Sequence, residues 1–164
     1  MITLSTLMEQ TAQLSLSGFK ESLEFQSEDT SYQSLSFEER LYHLFEAEIN
    51  QRQDKRIKRM LTMAKLKDSS ASLDQVQYLA KRKLDKSQIL SLANCDFINK
   101  FQNILLTGAT GTGKSFLAQA IARRAISLGY SAKYYRVTAL LEEIKMARLD
   151  GSYTKTLAKI SKFK

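Results

Sequence analysis

The chain has 164 residues, of which 43% are hydrophobic, with one cysteine, no proline and a formal net charge of +8. This composition can build a core and excludes wholesale disorder, and a lone cysteine, Cys95, excludes an internal disulfide. No stretch approaches the roughly 18 consecutive apolar residues of a membrane-spanning helix, and the first residues lack the basic start of a signal peptide. We therefore expect a protein of the reducing cytoplasm without a membrane-embedded part.

The charge is unevenly distributed along the chain. Residues 1–39 hold one lysine against seven acids, a net of −6, so the remaining 125 residues carry about +14. A basic body of this kind attracts polyanions through counterion release, which makes nucleic acid the leading class of partner. Charge that only keeps the protein in solution explains the composition equally well.

The N-terminal part is predicted to be helical. Residues 1–33 are expected to form one or two short helices, and the polar stretch 27–34 a linker. The next helix begins at a capping box of Ser36 and Glu39, in which each side chain accepts a hydrogen bond from the backbone amide of the other residue. Apolar residues at helical spacing carry this helix to about Leu66.

The second half of this helix presents a basic face. Four cations at i, i+3, i+4 and i+7 share one side, while another side is apolar. They are Arg52, Lys55, Arg56 and Arg59. The face could hold DNA phosphates or simply face water, and the residues themselves leave both interpretations open. A second basic run, Lys81-Arg82-Lys83, precedes Asp85, a candidate N-cap for a further helix.

From Asn103 onward the pattern predicts strands that alternate with helices. The expected order is a strand around Ile104-Leu105-Leu106, a helix over 114–128, a strand over 131–137, and helices over 139–149 and 153–162. This alternation is typical of the start of a parallel sheet. We therefore predict an α/β fold, with a helical N-terminal region over 1–95 and an incomplete parallel sheet over 96–164.

A phosphate-binding signature lies between the first predicted strand and its helix. The segment fits G-x-x-x-x-G-K-[ST] at every fixed position. It consists of Gly108, Ala109, Thr110, Gly111, Thr112, Gly113, Lys114 and Ser115. Glycines bring backbone amides close to phosphate at a helix N-terminus. Lys114 would stabilise the β- and γ-phosphates and Ser115 would ligate Mg²⁺, so the segment predicts ATP and Mg²⁺ as ligands.

The acidic half of an ATPase site has no candidate after this signature. Hydrolysis needs a carboxylate at the end of an apolar strand, where it orients Mg²⁺ and helps to activate water. The only acids after Ser115 are Glu142, Glu143 and Asp150. The first two fall in a predicted helix and the third follows no strand. The sequence therefore predicts nucleotide binding and assigns no acidic catalytic partner.

With these residues in hand, the chain resembles IstB-type ATPases, AAA+ helper proteins of insertion-sequence transposition related to the helicase loader DnaC. Besides the P-loop, the resemblance lies in 35–41 (LSFEERL), 101–108 (FQNILLTG) and 137–141 (VTALL). It implies that residues 96–164 form a partial P-loop AAA+ ATPase domain, in which Gly108, Gly113, Lys114 and Ser115 bind the nucleotide. It also implies a homo-oligomer on DNA, with ATP between subunits, that helps its transposase to engage target DNA.

The resemblance stops before the acidic strand with which family members continue. It therefore implies a truncated form with impaired or no hydrolysis. A DnaC-like helicase loader in replication would use the same ATP chemistry. A non-catalytic DNA-binding fragment would rely on the basic face instead. A remnant that does not fold is a further alternative, because two strands are too few to bury both faces of a parallel sheet.

Overall fold

A computed structural model describes residues 3–78 and 84–163 of the chain. The helices are α1 (Leu4–Gln13), α2 (Ser17–Glu28), α3 (Phe37–Ala64), α4 (Lys86–Ala93), α5 (Asp96–Asn99), α6 (Lys114–Ser127), α7 (Val137–Leu149) and α8 (Tyr153–Ile160). Two compact units are present, Met1–Arg56 and Ile57–Lys164. The basic run Lys81-Arg82-Lys83 lies outside the described residues. Within those residues, no helix combines the length and apolar character needed to cross a membrane.

The predicted parallel sheet is wrong, because none of the residues in 3–78 and 84–163 forms a strand. The two segments predicted as strands, around 104–106 and over 131–137, form no ladder of backbone hydrogen bonds. The second of them ends at Val137, where α7 begins. Leu105 is 86% exposed, although a buried strand was expected there. A run of apolar residues indicates that a segment tends to be buried, but it does not indicate whether a second strand is present to form hydrogen bonds with it. The described fold is therefore helical rather than α/β.

In the first unit, α2 crosses α3 at very short range. A Cβ added to Gly18 would lie 2.6 Å from the carbonyl oxygen of Ala47 and 2.9 Å from the Cα of Glu48. Both obstacles are backbone atoms, which cannot rotate away as a side chain can. The crossing therefore requires a residue without a side chain at position 18.

A buried carboxylate on α3 caps the start of α2. Glu48 is 5% exposed, and its Oε2 accepts from the amides of Gly18 at 2.8 Å and Phe19 at 3.1 Å. Its Oε1 accepts from Nε of Arg52 at 2.6 Å. Since Leu16 at the N-cap position offers no side-chain hydrogen bond, α3 supplies the anion that the first amides of α2 need.

The capping box predicted at the start of α3 is confirmed. The amide of Ser36 donates to Oε2 of Glu39 at 2.8 Å, and the amide of Glu39 donates to Oγ of Ser36 at 3.2 Å. The stretch predicted as a linker is more ordered than expected, since α2 runs to Glu28 and a 3₁₀ turn covers Thr30–Ser34. Asp29 starts that turn by accepting from the amide of Ser31, a local capping bond that hydrophobic periodicity does not report.

The second unit is built around α6. Ile89, Leu117 and Ile121 form its core cluster, against which α4 packs. The predicted N-cap of α4 is confirmed, because Oδ1 of Asp85 accepts from the amide of Ser87 at 2.8 Å. Helix α7 starts at Val137, and Arg136 at its N-cap position makes no side-chain hydrogen bond to the helix. This core fixes the position of α6, and with it the loop that precedes the helix.

Candidate nucleotide-binding site

The glycine-rich segment forms the loop that leads into α6. Three of its glycines have positive φ, +146° at Gly108, +81° at Gly111 and +88° at Gly113. Other residues adopt this region only with strain, so the backbone path depends on glycine at these points. Gly113 is also the N-cap of α6 and provides no side chain there. The loop thus leaves the helix N-terminus open to an external anion.

The backbone amides of the loop are available to a ligand. From Ala109 to Phe116, none donates a hydrogen bond to another described residue, and the regular helix ladder starts only with the amide of Leu117, which donates to the carbonyl of Gly113 at 2.9 Å. Consecutive free amides at a helix N-terminus carry partial positive charge and favour anions. This arrangement matches the cradle that a phosphate group requires.

Lys114 lies over this loop at the first position of α6. Its Nζ donates to the carbonyl oxygens of Gly108 at 2.8 Å and Ala109 at 2.5 Å. Oγ1 of Thr112 donates to the same Ala109 carbonyl at 2.9 Å. The ammonium is therefore held within the loop rather than extended into solvent, close to the free amides. Ser115, the predicted Mg²⁺ ligand, is exposed on the first turn.

A buried glutamine that the sequence reasoning missed supports the start of α6. Gln119 is 3% exposed. Its Nε2 donates to the carbonyl of Ser115 at 3.0 Å, and its Oε1 accepts from the amide of Asp68 at 2.7 Å. These two bonds tie the first turn of α6 to the segment that follows α3. The signal was present as a polar residue among the apolar positions 117, 120 and 121, but its partner could not be predicted.

No acidic cluster accompanies the loop within the described ranges. No group of three or more His, Cys, Asp or Glu side chains is arranged to hold a metal ion there. Glu142 and Glu143 are exposed on α7. Oδ1 of Asp150 accepts from the amide of Ser152, and hydrogen bonds from Ser152 lower the pKa of this carboxyl. The three acids that follow Ser115 in the sequence thus form no such group within the described residues.

The predicted basic face of α3 is not uniform. Arg52 is bonded to Glu48, and Nζ of Lys55 donates to Ser17 at 2.6 Å and to Gln51 at 2.8 Å. By contrast, Arg56 and Arg59 are exposed and make no hydrogen bond or ion pair with the rest of the described chain. Two of the four cations therefore already have structural partners, and the other two are free to bind an anion.

One cavity of the unit Ile57–Lys164 is lined entirely by residues outside the loop. It has a volume of about 720 Å³ and is lined mainly by apolar side chains of 97–106 and α6, with none from 108–115. A second cavity of about 430 Å³ includes Arg123 and Arg124. Triphosphates are bound by open loops at helix ends rather than by apolar cavities, so the chemistry of the site points to the loop.

Comparison with known proteins identifies the family. Residues 9–164 match the profile of the family described as IstB-like ATP binding protein. The chain belongs to this family. It is 43% identical to "Insertion sequence IS1162 putative ATP-binding protein" of Pseudomonas fluorescens over 162 residues, which are 99% of this chain and 70% of that relative. This match extends well beyond the generic P-loop.

Two further relatives carry similar names. The chain is 30% identical to "Insertion sequence IS5376 putative ATP-binding protein" of Geobacillus stearothermophilus, covering 80% of this chain and 52% of that protein. It is 34% identical to "Putative insertion sequence ATP-binding protein y4pL" of Sinorhizobium fredii, covering 75% and 50%. The chain thus spans 70% of the first relative and about half of these two.

Proposed function

We propose that this IstB-like chain binds ATP at Gly108–Ser115 and serves as a helper protein in the transposition of an insertion sequence. The observation that carries the proposal is the row of free backbone amides from Ala109 to Phe116 at the N-terminus of α6, with Lys114 beside it. The names of the relatives, ATP-binding proteins of insertion sequences, support the biological role. We further propose that the chain acts in the cytoplasm and that its partners are a transposase, DNA and further copies of the chain.

The residues define how a triphosphate would be held. The amides of the loop would bind phosphate oxygens, and Lys114 would exchange its two carbonyl partners for β- and γ-phosphate oxygens. The hydroxyl of Ser115 would ligate Mg²⁺, which supplies compensating positive charge to the phosphates when bound. Since the described residues hold no group of three or more His, Cys, Asp or Glu side chains placed to bind a metal ion, we propose binding and assign no hydrolytic step to these residues.

Titration of the whole chain with Mg-ATP tests the proposal. Lys114→Ala should weaken binding about 10- to 100-fold, because a charged hydrogen bond to phosphate contributes roughly 1.5–3 kcal/mol. Lys155→Ala, which removes an exposed lysine on α8, is the matched control and should bind like the parent. Equal affinity of the Lys114 variant and the parent would remove the proposal. Phosphate release measured in the same samples separates a binder from an ATPase.

A second function, DNA binding, is favoured by the two free cations of α3. Arg59 lies in the unit Ile57–Lys164, which carries a net charge of +13, whereas Arg56 is the last residue of the unit Met1–Arg56, which carries −5. If Arg56 and Arg59 each contact one phosphate, replacing both with alanine should reduce the slope of log K against log salt by about 1.8. Replacing Lys155 and Lys159 on α8 is the control of equal charge. A slope that the Arg56 and Arg59 changes leave intact argues for a solvated helix face instead.

A further inference from the structure

A short segment after α3, residues 65–71, is fastened to α6 by side-chain hydrogen bonds; we call it the strap. The strap is irregular backbone, so its buried amides and carbonyls need partners outside a helix or sheet. Oε1 of Gln119 accepts from the amide of Asp68 at 2.7 Å. Four residues further along α6, Nη1 of Arg123 donates to the carbonyl of Ser70 at 2.8 Å. The strap therefore has two points of attachment on one face of α6.

Gln119 also reaches the first turn of α6, which carries the free amides of the nucleotide loop. Its Nε2 donates to the carbonyl of Ser115 at 3.0 Å. The amides of Ala109 to Phe116 have no partner among the described residues, so the backbone ladder holds this turn only from its C-terminal side. Helix ends held in this way open more easily than helix centres. Gln119 supplies the missing support from outside the helix.

The surroundings of Gln119 indicate that this support is its main role. The residue is 3% exposed, and its neighbours Leu117, Ala120 and Ile121 are buried apolar residues. An apolar side chain at position 119 would fill the same space without the cost of removing an amide from water. The glutamine instead uses both ends of its amide, one towards the first turn and one towards the strap.

We propose that Gln119 is a positioning residue of the nucleotide site: it fastens the first turn of α6 to the strap and so holds the free amides ready for a triphosphate. Donors that are fixed before the ligand arrives bind it more tightly, because less freedom is lost on binding. The inference rests on the proposed ATP binding and adds a residue that contacts no phosphate. It also links the loop to the strap, so a ligand that orders the loop should order the amide of Asp68 as well.

Titration of the full chain with Mg-ATP tests the effect on affinity. Gln119→Met keeps a similar side-chain volume and removes both hydrogen bonds. It should weaken binding about tenfold, because roughly one net hydrogen bond of ordering must then be supplied on binding. Ile126→Ala, at a fully buried position in the last turn of α6, controls for stability: it should lower the melting temperature and leave the affinity unchanged. Gln88→Met, at an exposed position of α4, controls for the chemical change and should match the parent.

Amide hydrogen exchange adds a readout that a change in overall stability would not move. In the parent, Mg-ATP should slow exchange of the Asp68 amide more than exchange of the Ile89 amide, which donates to the carbonyl of Asp85 in α4. In Gln119→Met, Mg-ATP should slow both amides by the same factor, since ligand binding then stabilises only the fold as a whole.

Three results would each overturn the inference while leaving ATP binding intact. The first is a Gln119→Met chain that binds Mg-ATP like the parent. The second is an Ile126→Ala chain that loses as much affinity as Gln119→Met. The third is a parent chain in which Mg-ATP slows exchange of the Asp68 and Ile89 amides equally. A parent that binds no better than Lys114→Ala gives a different pattern, because it removes the proposed ATP binding and this inference together.

Discussion

Replacing Glu48 with alanine is expected to destabilise the unit Met1–Arg56 by about 2–4 kcal/mol. The change leaves the amides of Gly18 and Phe19 without an acceptor. The cost is roughly 1–3 kcal/mol for the buried amide of Gly18, and it is small for the part-buried amide of Phe19, which water can reach. Arg52 loses an ion pair but its side chain is 61% exposed, so this loss adds less than about 1 kcal/mol. The vacated side-chain volume accounts for the remainder.

Urea unfolding followed by circular dichroism measures this loss, and amide hydrogen exchange at Gly18 and Phe19 assigns it to the start of α2. Exchange is needed because two units can give two transitions. Glu24→Ala is the control: this carboxylate lies on α2, is 47% exposed and is 4.0 Å from Lys20, so its loss should cost less than about 0.5 kcal/mol. Unchanged stability of Glu48→Ala, with both amides still protected, would refute the reasoning.

The same carboxylate gives the unit a pH dependence of known sign. Burial favours the neutral acid, but hydrogen bonds from the Phe19 amide, Arg52 and the Gly18 amide outweigh it and lower the pKa of Glu48. With its folded pKa below the unfolded value of about 4.3, the carboxylate stabilises the fold fully above that value. This contribution is lost as the pH falls through the folded pKa. The difference in free energy of unfolding between the parent and Glu48→Gln should therefore become smaller below about pH 4.

Two further changes test the packing and capping of the first unit. Gly18→Ala should lower the free energy of unfolding by about 1–3 kcal/mol, since the new Cβ would meet backbone atoms of Ala47 and Glu48. A melting temperature as high as that of the parent would contradict the close crossing. Ser36→Ala should lower the free energy of unfolding by about 1 kcal/mol, because it removes the acceptor of the Glu39 amide. Urea unfolding measures this loss, with Ser34→Ala as the control. Equal losses in the two variants would contradict a specific capping role.

Local signals predicted the helices well because each depends on a few neighbouring residues. The capping box of Ser36 and Glu39 and the N-cap at Asp85 could be predicted, since donor and acceptor lie within three residues of each other. The predicted sheet failed for the opposite reason. Ile104 and Leu106 do pack towards the core of their unit while Leu105 is exposed. A strand, however, needs a partner from elsewhere in sequence, which periodicity cannot identify.

The same distinction applies to the candidate site. The spacing of glycines and Lys114 predicted a loop with positive φ before a helix, and the structure has that geometry. The residues that hold the frame around it were not predictable. Gln119 reaches a backbone amide 51 positions away, and Glu48 reaches α2 across 29 and 30 positions. Long-range polar contacts of this kind depend on the tertiary fold and leave little trace in local pattern.

The position of Lys114 has a consequence for selectivity. Its ammonium already donates to two neutral carbonyl oxygens, those of Gly108 and Ala109. An anion can recruit it only by offering oxygens that hold it more strongly, and hydrogen bonds between two charged groups are roughly twice as strong as neutral ones. Adjacent phosphoryl groups meet this condition better than a single monoester. The loop would thus bind nucleotides more tightly the greater the density of their negative charge. AMP should compete poorly with ATP, although both carry the same base.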